Sequence, residues 1–228
     1  MQIHPCGDHS ISVAFENKVD EEVNQRVIQF CRAVEQNEMI GITELIPSFR
    51  CVLIQYDPMK IRYDALKEKM EEVANDTAKQ PLPEPSTTIV PVRYGGEYGM
   101  DIDFVAEHNG LHVDEVIKLH SGRPYYIYMI GFIAGFPYLG GMDERLCTPR
   151  LETPRVKIPA GSVGIANEQT GVYPLESPGG WQIIGRTPLD LWDSENNTAL
   201  LSPGNYVQFE PITEEEFKKL CKGTGGVR

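Results

Sequence analysis

Positive charge is in short supply in this sequence of 228 residues. Its 21 Lys and Arg residues are outnumbered by 33 Asp and Glu residues, and the formal net charge is −12. Proteins that bind a nucleic-acid backbone or an anionic membrane surface collect Lys and Arg on one face. We therefore expect neither nucleic acid nor a membrane among the partners of this chain.

Cysteine is also scarce. The five residues are widely spaced, their number is odd and no C-x-x-C pair occurs. This pattern predicts reduced thiols rather than a disulfide framework or a zinc site. The first ten residues lack the basic and then apolar pattern of a targeting signal. Together these absences predict a cytoplasmic protein without a metal centre.

Several nucleotide and metal motifs are missing as well. The sequence contains no G-x-x-x-x-G-K-[ST] phosphate loop, no G-x-G-x-x-G dinucleotide turn and no H-E-x-x-H zinc helix. It also lacks the G-x-S-x-G turn of a serine nucleophile. Because these motifs carry essential chemistry, a self-contained ATPase, dehydrogenase or metalloprotease is not expected.

An uncharged stretch between Arg123 and Asp143 approaches the length of a membrane span. It contains Pro124, Pro137, four glycines and four tyrosines. So many helix breakers would leave backbone groups unpaired in lipid. The stretch therefore predicts a strand followed by a glycine-rich loop.

A proline-rich segment divides the chain. Residues 81–88 read PLPEPSTT, and three prolines within five residues cannot continue a helix or a central strand. We predict a linker here, with an N-terminal domain at 1–80 and a C-terminal domain at 89–228.

The pattern before the linker is strand, helix, strand, strand, helix. Residues 11–15 alternate like a half-buried strand, and Asp20 can cap the helix that follows. Pro47-Ser48 separates two β-rich runs, and apolar residues at helical spacing return at 66–73. This order predicts an α+β sandwich of ferredoxin-like type.

The second domain begins with a strand at 89–94 and two short helices, of which Asp101 can cap the first. Short strands punctuated by Gly and Pro follow, which predicts a mainly β domain built as a small closed barrel. The strand segments are YYIYMI, RVKIP, SVGIA, GVYPL, WQIIGR, LDLW and NYVQF. Thr213 and Glu216 have the spacing of a capping box and predict a C-terminal helix.

Two features between residues 131 and 188 are candidates for chemistry. The aromatic loop from Phe132 to Tyr138 is either a cover for the barrel end or a pocket wall and partner surface. The triplet Thr-Pro-Arg occurs twice, ending at Arg150 and Arg155, and can aim both guanidinium groups at a carboxylate or phosphate. The alternative is two surface arginines paired with neighbouring glutamates, Glu144 and Glu152.

Two further features are less specific. Gly179-Gly180 can present backbone N–H groups to an anion, although such a sequence is more often an ordinary turn. His120 ends a predicted helix, where the helix dipole would favour its protonated form. A single histidine is more often structural than catalytic.

Taken together, several strings closely resemble one family. They are YGGEYG, EVIKLHS, GFIAGFPYLGGMDERLCTPRLETPR, IPAGSVGIANEQTGVYPLESPGGWQIIGRTPLDLWD and SPGNYVQFEPI. The family contains the 5-oxoprolinase B subunit, the sporulation-kinase inhibitor KipI and subunit 1 of allophanate hydrolase. The resemblance implies a small α+β N-domain and a cyclophilin-like barrel C-domain. Many relatives have glycines where this chain has Asn167-Glu168.

The resemblance also implies partners and a pocket. A KipA-like C subunit with a homologous barrel and a LamB/YcsF-like A subunit would join this chain to open 5-oxo-L-proline to L-glutamate, with ATP as co-substrate. ATP would be bound with the help of other chains, and no metal or prosthetic group is expected. His120, Arg150 and Arg155 are the catalytic candidates. The substrate-binding candidates are Phe136, Tyr138, Gln169, Thr170, Ser177, Gly180, Trp181 and Arg186.

Two other functions remain open at this point. One is a regulatory module that docks on a histidine kinase, for which the aromatic loop would provide the surface. The other is a component of an allophanate hydrolase, whose substrate is an acyclic urea derivative. The barrel alone would also be compatible with prolyl isomerase activity, but a fold does not determine a function.

Overall fold

The computed structural model describes residues 1–77 and 84–223. The chain divides into two compact units, Met1–Glu84 and Pro85–Arg228. Residues 81–83 of the predicted linker lie outside the described residues. Thr87 and Thr88, which the sequence assigns to that linker, already belong to the first strand of the second unit.

The described part of the first unit has four strands and two helices. They are β1 (Gln2–Pro5), β2 (Ser10–Ala14), α1 (Glu21–Gln36), β3 (Ile42–Pro47), β4 (Cys51–Tyr56) and α2 (Tyr63–Thr77). The strands form an antiparallel sheet in the order β1-β2-β4-β3. Alternate residues of β2 and β4 and the apolar stripes of both helices share one buried cluster, which includes Val13, Phe30, Ile54 and Met70.

Mixed helix and strand content is confirmed for the first unit. Asp20 caps α1 as predicted, because its Oδ1 accepts a hydrogen bond of 2.9 Å from the backbone N–H of Val23. β1 was not predicted, because its residues are mostly exposed and have no alternation of apolar side chains. It occupies one edge of the sheet, and the ferredoxin-like type stays a prediction.

The second unit is richer in strands. Its described elements are β5 (Thr87–Tyr94), α3 (Ile102–His108), α4 (Val113–Ser121), β6 (Pro124–Ile130), β7 (Pro137–Gly140), β8 (Arg155–Ile158), β9 (Ser162–Ala166), β10 (Gln169–Val172), β11 (Ser177–Gly179), β12 (Gln182–Arg186), β13 (Trp192–Asp193), β14 (Thr198–Ala199), β15 (Tyr206–Pro211) and α5 (Glu214–Gly223). Short 3₁₀ turns lie at Gly96–Tyr98 and Glu144–Leu146.

The predicted closed barrel is confirmed. In the described part of the chain, seven strands close in the order β10-β7-β6-β15-β5-β12-β9. Neighbours are antiparallel except β5 and β15, which run parallel. The uncharged stretch forms β6 and then a glycine-containing loop, as the sequence predicts, but its residues Pro137–Gly140 form a further strand, β7, which was not predicted. The pairs β8–β11 and β13–β14 form two small ribbons of their own, and the cyclophilin-like type stays a prediction.

Candidate functional site

His120 lies inside the barrel rather than at its surface. Its ring has no solvent exposure and stacks on Phe209 with ring centres 4.6 Å apart. The hydroxyl of Thr170 donates to the carbonyl of Gly164 at 3.0 Å, so its oxygen accepts from Nε2 of His120 at 2.8 Å. The Tyr94 hydroxyl then donates to Nδ1 at 2.8 Å. Both ring nitrogens are therefore satisfied within the protein when the ring is neutral.

The charge state of His120 differs from the prediction. Burial lowers its pKa from 6.5 to about 3, because charging the ring would require solvation that the barrel interior does not provide. This effect exceeds the attraction of the helix end, which predicted a protonated ring. His120 and Thr170 thus form an interior network with Tyr94, and their roles in substrate binding or proton transfer stay predictions.

Aromatic side chains gather on the outside of the barrel. Phe136 is 2 % exposed, and its ring centre lies 5.4 to 5.8 Å from those of Phe132, Tyr138, Tyr173 and Trp181. All four contacts are edge-to-face, the arrangement that aromatic quadrupoles favour. We call these five residues the aromatic cluster.

The loop between β6 and β7 carries one member of this cluster into solvent. Phe132 is 67 % exposed and has a φ of 65°, which is costly for a residue with a β-carbon. Gly135, with a φ of 81°, lets the loop pass close to Trp192 and Pro174. The loop is therefore anchored on the barrel and exposes one aromatic ring, and both interpretations of the loop stay predictions.

The two predicted arginines have different environments. The Arg155 guanidinium binds both carboxylate oxygens of Asp101, at 2.9 and 2.7 Å. Asp101 also accepts a hydrogen bond of 2.6 Å from the backbone N–H of Ile183. The exposed Arg150 lies over the Trp181 ring, with its guanidinium carbon 5.9 Å from the ring centre. Burial raises the pKa of Tyr173 to about 12, and the charges of both arginines oppose that rise.

These contacts correct two expectations. Asp101 makes no side-chain cap on α3, because its carboxylate is engaged by Arg155. The predicted alternative of ion pairs with Glu144 and Glu152 is also wrong, since Arg155 pairs with Asp101 and Arg150 stacks on Trp181. Only Arg150 of the two keeps its guanidinium free of a carboxylate partner among the described residues.

The Ser177–Trp181 segment borders the aromatic cluster. Ser177 and Gly179 pair with β8, and the carbonyl of Gly180 accepts a hydrogen bond of 2.8 Å from the N–H of Leu151. Neither Gly179 nor Gly180 has a positive φ, so the alternating backbone of an anion nest is not formed. Within the described residues, the buried Oγ of Ser177 has no hydrogen-bond partner.

The last two candidates lie on different sides of the fold. Because Thr170 points into the barrel, its strand neighbour Gln169 points outward, on the same face as Gly171 beside Phe136. Arg186 lies at the far end of β12 from Trp181 and donates from Nε to the carbonyl of Ala160 at 2.8 Å. The candidates thus fall into an interior pair, a group on the outer face and Arg186 by itself.

Sequence reasoning missed three residues that shape these groups. Tyr94 completes the histidine network, Tyr173 packs against Phe136 and Trp181 in the aromatic cluster, and Asp101 holds Arg155. Asp101 was noticed, but its position before a helix suggested a cap. Its partner lies 54 residues away, and no local pattern shows a pairing at that distance.

Metal clusters and membrane-crossing helices are both absent from the described residues. No group of three or more His, Cys, Asp or Glu side chains there is arranged to hold a metal ion. No helix in the same part of the chain is both long enough and apolar enough to cross a membrane.

Comparisons with known proteins place this chain in a family. Residues 1–202 match the family described as "Carboxyltransferase domain, subdomain C and D". The 5-oxoprolinase B subunit of Bacillus subtilis (strain 168) is 39% identical over 227 residues, covering 95% of each chain. A conserved uncharacterized protein from Pyrococcus horikoshii is 45% identical, with a TM-score of 0.56, and the match covers 95% of this chain and 100% of that one.

More distant similarity extends to a larger protein. The urea amidolyase of Lachancea kluyveri is 30% identical over 249 residues, a match that covers 95% of this chain and 14% of that protein. This chain is therefore similar to one part of a much longer protein and, over nearly its whole length, to a bacterial subunit. The chain belongs to the carboxyltransferase subdomain C and D family, in the group of the 5-oxoprolinase B subunits.

Proposed function

We propose that this chain is the B subunit of an ATP-dependent 5-oxoprolinase. The observation that carries the proposal is the 39% sequence identity to a 5-oxoprolinase B subunit, which extends over 95% of both chains. The complex would add water across the lactam C–N bond of 5-oxo-L-proline, which releases L-glutamate. We infer that the C subunit, with a homologous barrel, and the A subunit supply the remaining machinery, including most of the ATP site.

Within this chain we assign anion binding to Arg150. Its guanidinium is exposed, lies over the Trp181 ring at cation–π distance and has no carboxylate partner among the described residues. The same face presents the Phe132 ring to solvent. A substrate carboxylate or a phosphorylated intermediate held there would lie between this chain and a partner subunit.

Arg155 and His120 take supporting roles in this proposal. Both terminal nitrogens of Arg155 already bind Asp101, so Arg155 fixes the β8–β11 ribbon beside Trp181 rather than binding substrate. His120 holds the barrel interior through Tyr94 and Thr170. A full-activity complex containing His120→Ala would show that turnover does not need the ring and would exclude proton transfer by it.

The test is ATP-dependent glutamate release from 5-oxoproline, measured with this chain and its A and C partners and with each omitted in turn. Omission of this chain should abolish release. In the complete mixture, Arg150→Gln should lower kcat/KM by about 10- to 100-fold, the size expected for one lost charge-assisted hydrogen-bond pair. Arg32→Gln, an exposed substitution in the first unit, is the matched control and should leave the rate unchanged.

One alternative is favoured by a specific observation. The similarity to urea amidolyase makes an acyclic urea derivative the competing substrate. Replacing 5-oxoproline with allophanate in the same mixture separates the two, because ammonia release would then replace glutamate release. The kinase-docking function stays a prediction. We also infer that the barrel is cyclophilin-like and that the first unit is a ferredoxin-like variant.

A further inference from the structure

A groove lies at the end of the barrel where β12 finishes. Its volume is about 420 Å³, within the range of small-molecule sites. Most of its wall is apolar and is formed by the 3₁₀ turn after β5, the segment from β12 to β13, and α5. The aromatic members of the wall are Tyr98, Trp192 and Phe217. We call it the Arg186 groove.

Arg186 is held in place at this wall by the backbone of the turn between β8 and β9. Its Nε–H donates to the carbonyl of Ala160, which fixes the plane of the guanidinium. Gly161 makes this possible, because a β-carbon there would lie 2.4 Å from the carbonyl oxygen of Thr187. The turn can therefore approach the strand closely enough to bind the arginine.

The terminal nitrogens of Arg186 have no protein partner among the described residues. Glu97 and Asp190 also line the groove, but neither forms an ion pair with Arg186, and both are exposed to screening by water. Lys218 adds a second positive charge at the rim, where it pairs with Glu214. The guanidinium of Arg186 is half-buried and faces an apolar groove, and its two terminal NH2 groups are available to bind a ligand.

We propose that the Arg186 groove binds a small organic carboxylate with a flat apolar body. The guanidinium fork matches one carboxylate, and Trp192 and Phe217 provide surface for the body of the ligand. Arg186 lies five positions after Trp181 along an extended strand, which is roughly 15 Å, so this site is distinct from the Arg150 face. The proposal that this groove binds a carboxylate does not depend on the proposed function.

The probe is benzoate, and benzamide is its neutral match. Titration of the full-length ¹⁵N-labelled chain, followed by amide NMR, should shift signals from residues 186–194 and α5. Benzamide should bind at least about tenfold more weakly, because it lacks the charge that the guanidinium recognises. Arg186→Gln should weaken benzoate binding by about 10- to 100-fold, and Trp192→Ala should weaken it independently.

Arg32→Gln, an exposed substitution in the first unit, is the matched control and should bind benzoate as the unmodified chain does. The proposal is overturned if Arg186→Gln binds normally while it remains folded, or if benzoate shifts only signals outside residues 186–194 and α5. Equal affinity for benzoate and benzamide would also overturn it. Because glutamate release is not measured here, failure of this proposal and failure of the oxoprolinase function are separate results.

Discussion

His120 and Arg155 carry groups that are common in active sites, yet both are surrounded by partners that use their bonding capacity. The histidine network is sealed inside the barrel, and the arginine is locked to a buried aspartate. Arg150 and Arg186 are the two arginine candidates whose terminal nitrogens have no carboxylate partner in the described part of the chain. At the residue scale, the candidates for ligand binding are therefore distinguished by hydrogen-bond donors that have no protein partner, and not by the type of residue.

Acid should destabilise this protein partly through His120. Its pKa is about 3 in the folded state and near 6.5 when unfolded, so the unfolded chain binds the extra proton between these values. The stabilisation is present above pH 6.5 and is lost as the pH falls toward 3, with a full size on the order of 3–5 kcal/mol. Urea unfolding at a series of pH values measures it.

His120→Gln provides the reference for that measurement, because glutamine can form hydrogen bonds but does not titrate. Its unfolding free energy should depend less steeply on pH between 6.5 and 3. Equal slopes in the two proteins would show that the ring is not buried in its neutral form.

Loss of the Asp101 charge should lower the free energy of unfolding. In Asp101→Asn the Arg155 guanidinium loses its charged partner, and the backbone N–H of Ile183 loses a charged acceptor. Breaking a largely buried pair in this way typically destabilises by about 3 kcal/mol. Asp103→Asn, an exposed change in the first turn of α3, is the control and should stay within about 0.5 kcal/mol. Chemical denaturation compares the two, and equal stabilities would contradict the assigned role of the pair.

At the element scale, local chemistry accounts for most of the helix ends. Asp20 caps α1, Gly110 follows α3 with a φ of 64°, and Thr213 and Glu216 exchange hydrogen bonds at the start of α5. Asn167 has a φ of 53° in the turn between β9 and β10. Asparagine tolerates this left-handed conformation better than most residues, so it suits this turn.

The cap of α1 allows a direct test of how much a capping residue stabilises a helix end. Asp20→Ala removes the acceptor for the Val23 N–H and should lower the unfolding free energy by about 1 kcal/mol. Glu21→Ala removes a charge from the same turn without removing the cap and should cost less. Thermal unfolding compares the stabilities of both variants. A larger loss of stability in Glu21→Ala than in Asp20→Ala would contradict the capping assignment.

The elements that the sequence predicted are those with a strong local pattern. Both helices of the first unit, its hairpin at Pro47-Ser48 and most barrel strands follow from periodicity and turn residues. The short strands β1, β7, β11 and β14 were missed, because a few residues cannot establish a period and their pairing depends on distant partners. The same reason hid the network of Tyr94, His120 and Thr170, whose members converge only when the barrel closes.

At the scale of the whole molecule, each unit has its own buried cluster. We therefore expect residues 85–228 to fold without the first unit and to unfold cooperatively. A fragment of 85–202 is the matched control, because it retains most of the cluster but lacks β15, which joins β5 to β6. Circular dichroism and thermal melting should show a cooperative transition only for the longer fragment. A shorter fragment that melts in the same way would mean that the barrel does not need this strand.

The parallel pairing of β5 with β15 also has a consequence for synthesis. The register joins Thr87 to Tyr206, so the first strand of the barrel emerges from the ribosome long before its neighbour is made. During that interval β5 and β6 each present backbone groups that only β15 will pair, and such edges invite association between nascent chains. The barrel is therefore completed after most of the chain has been translated, and a chaperone that shields the open seam would raise the yield of folded protein.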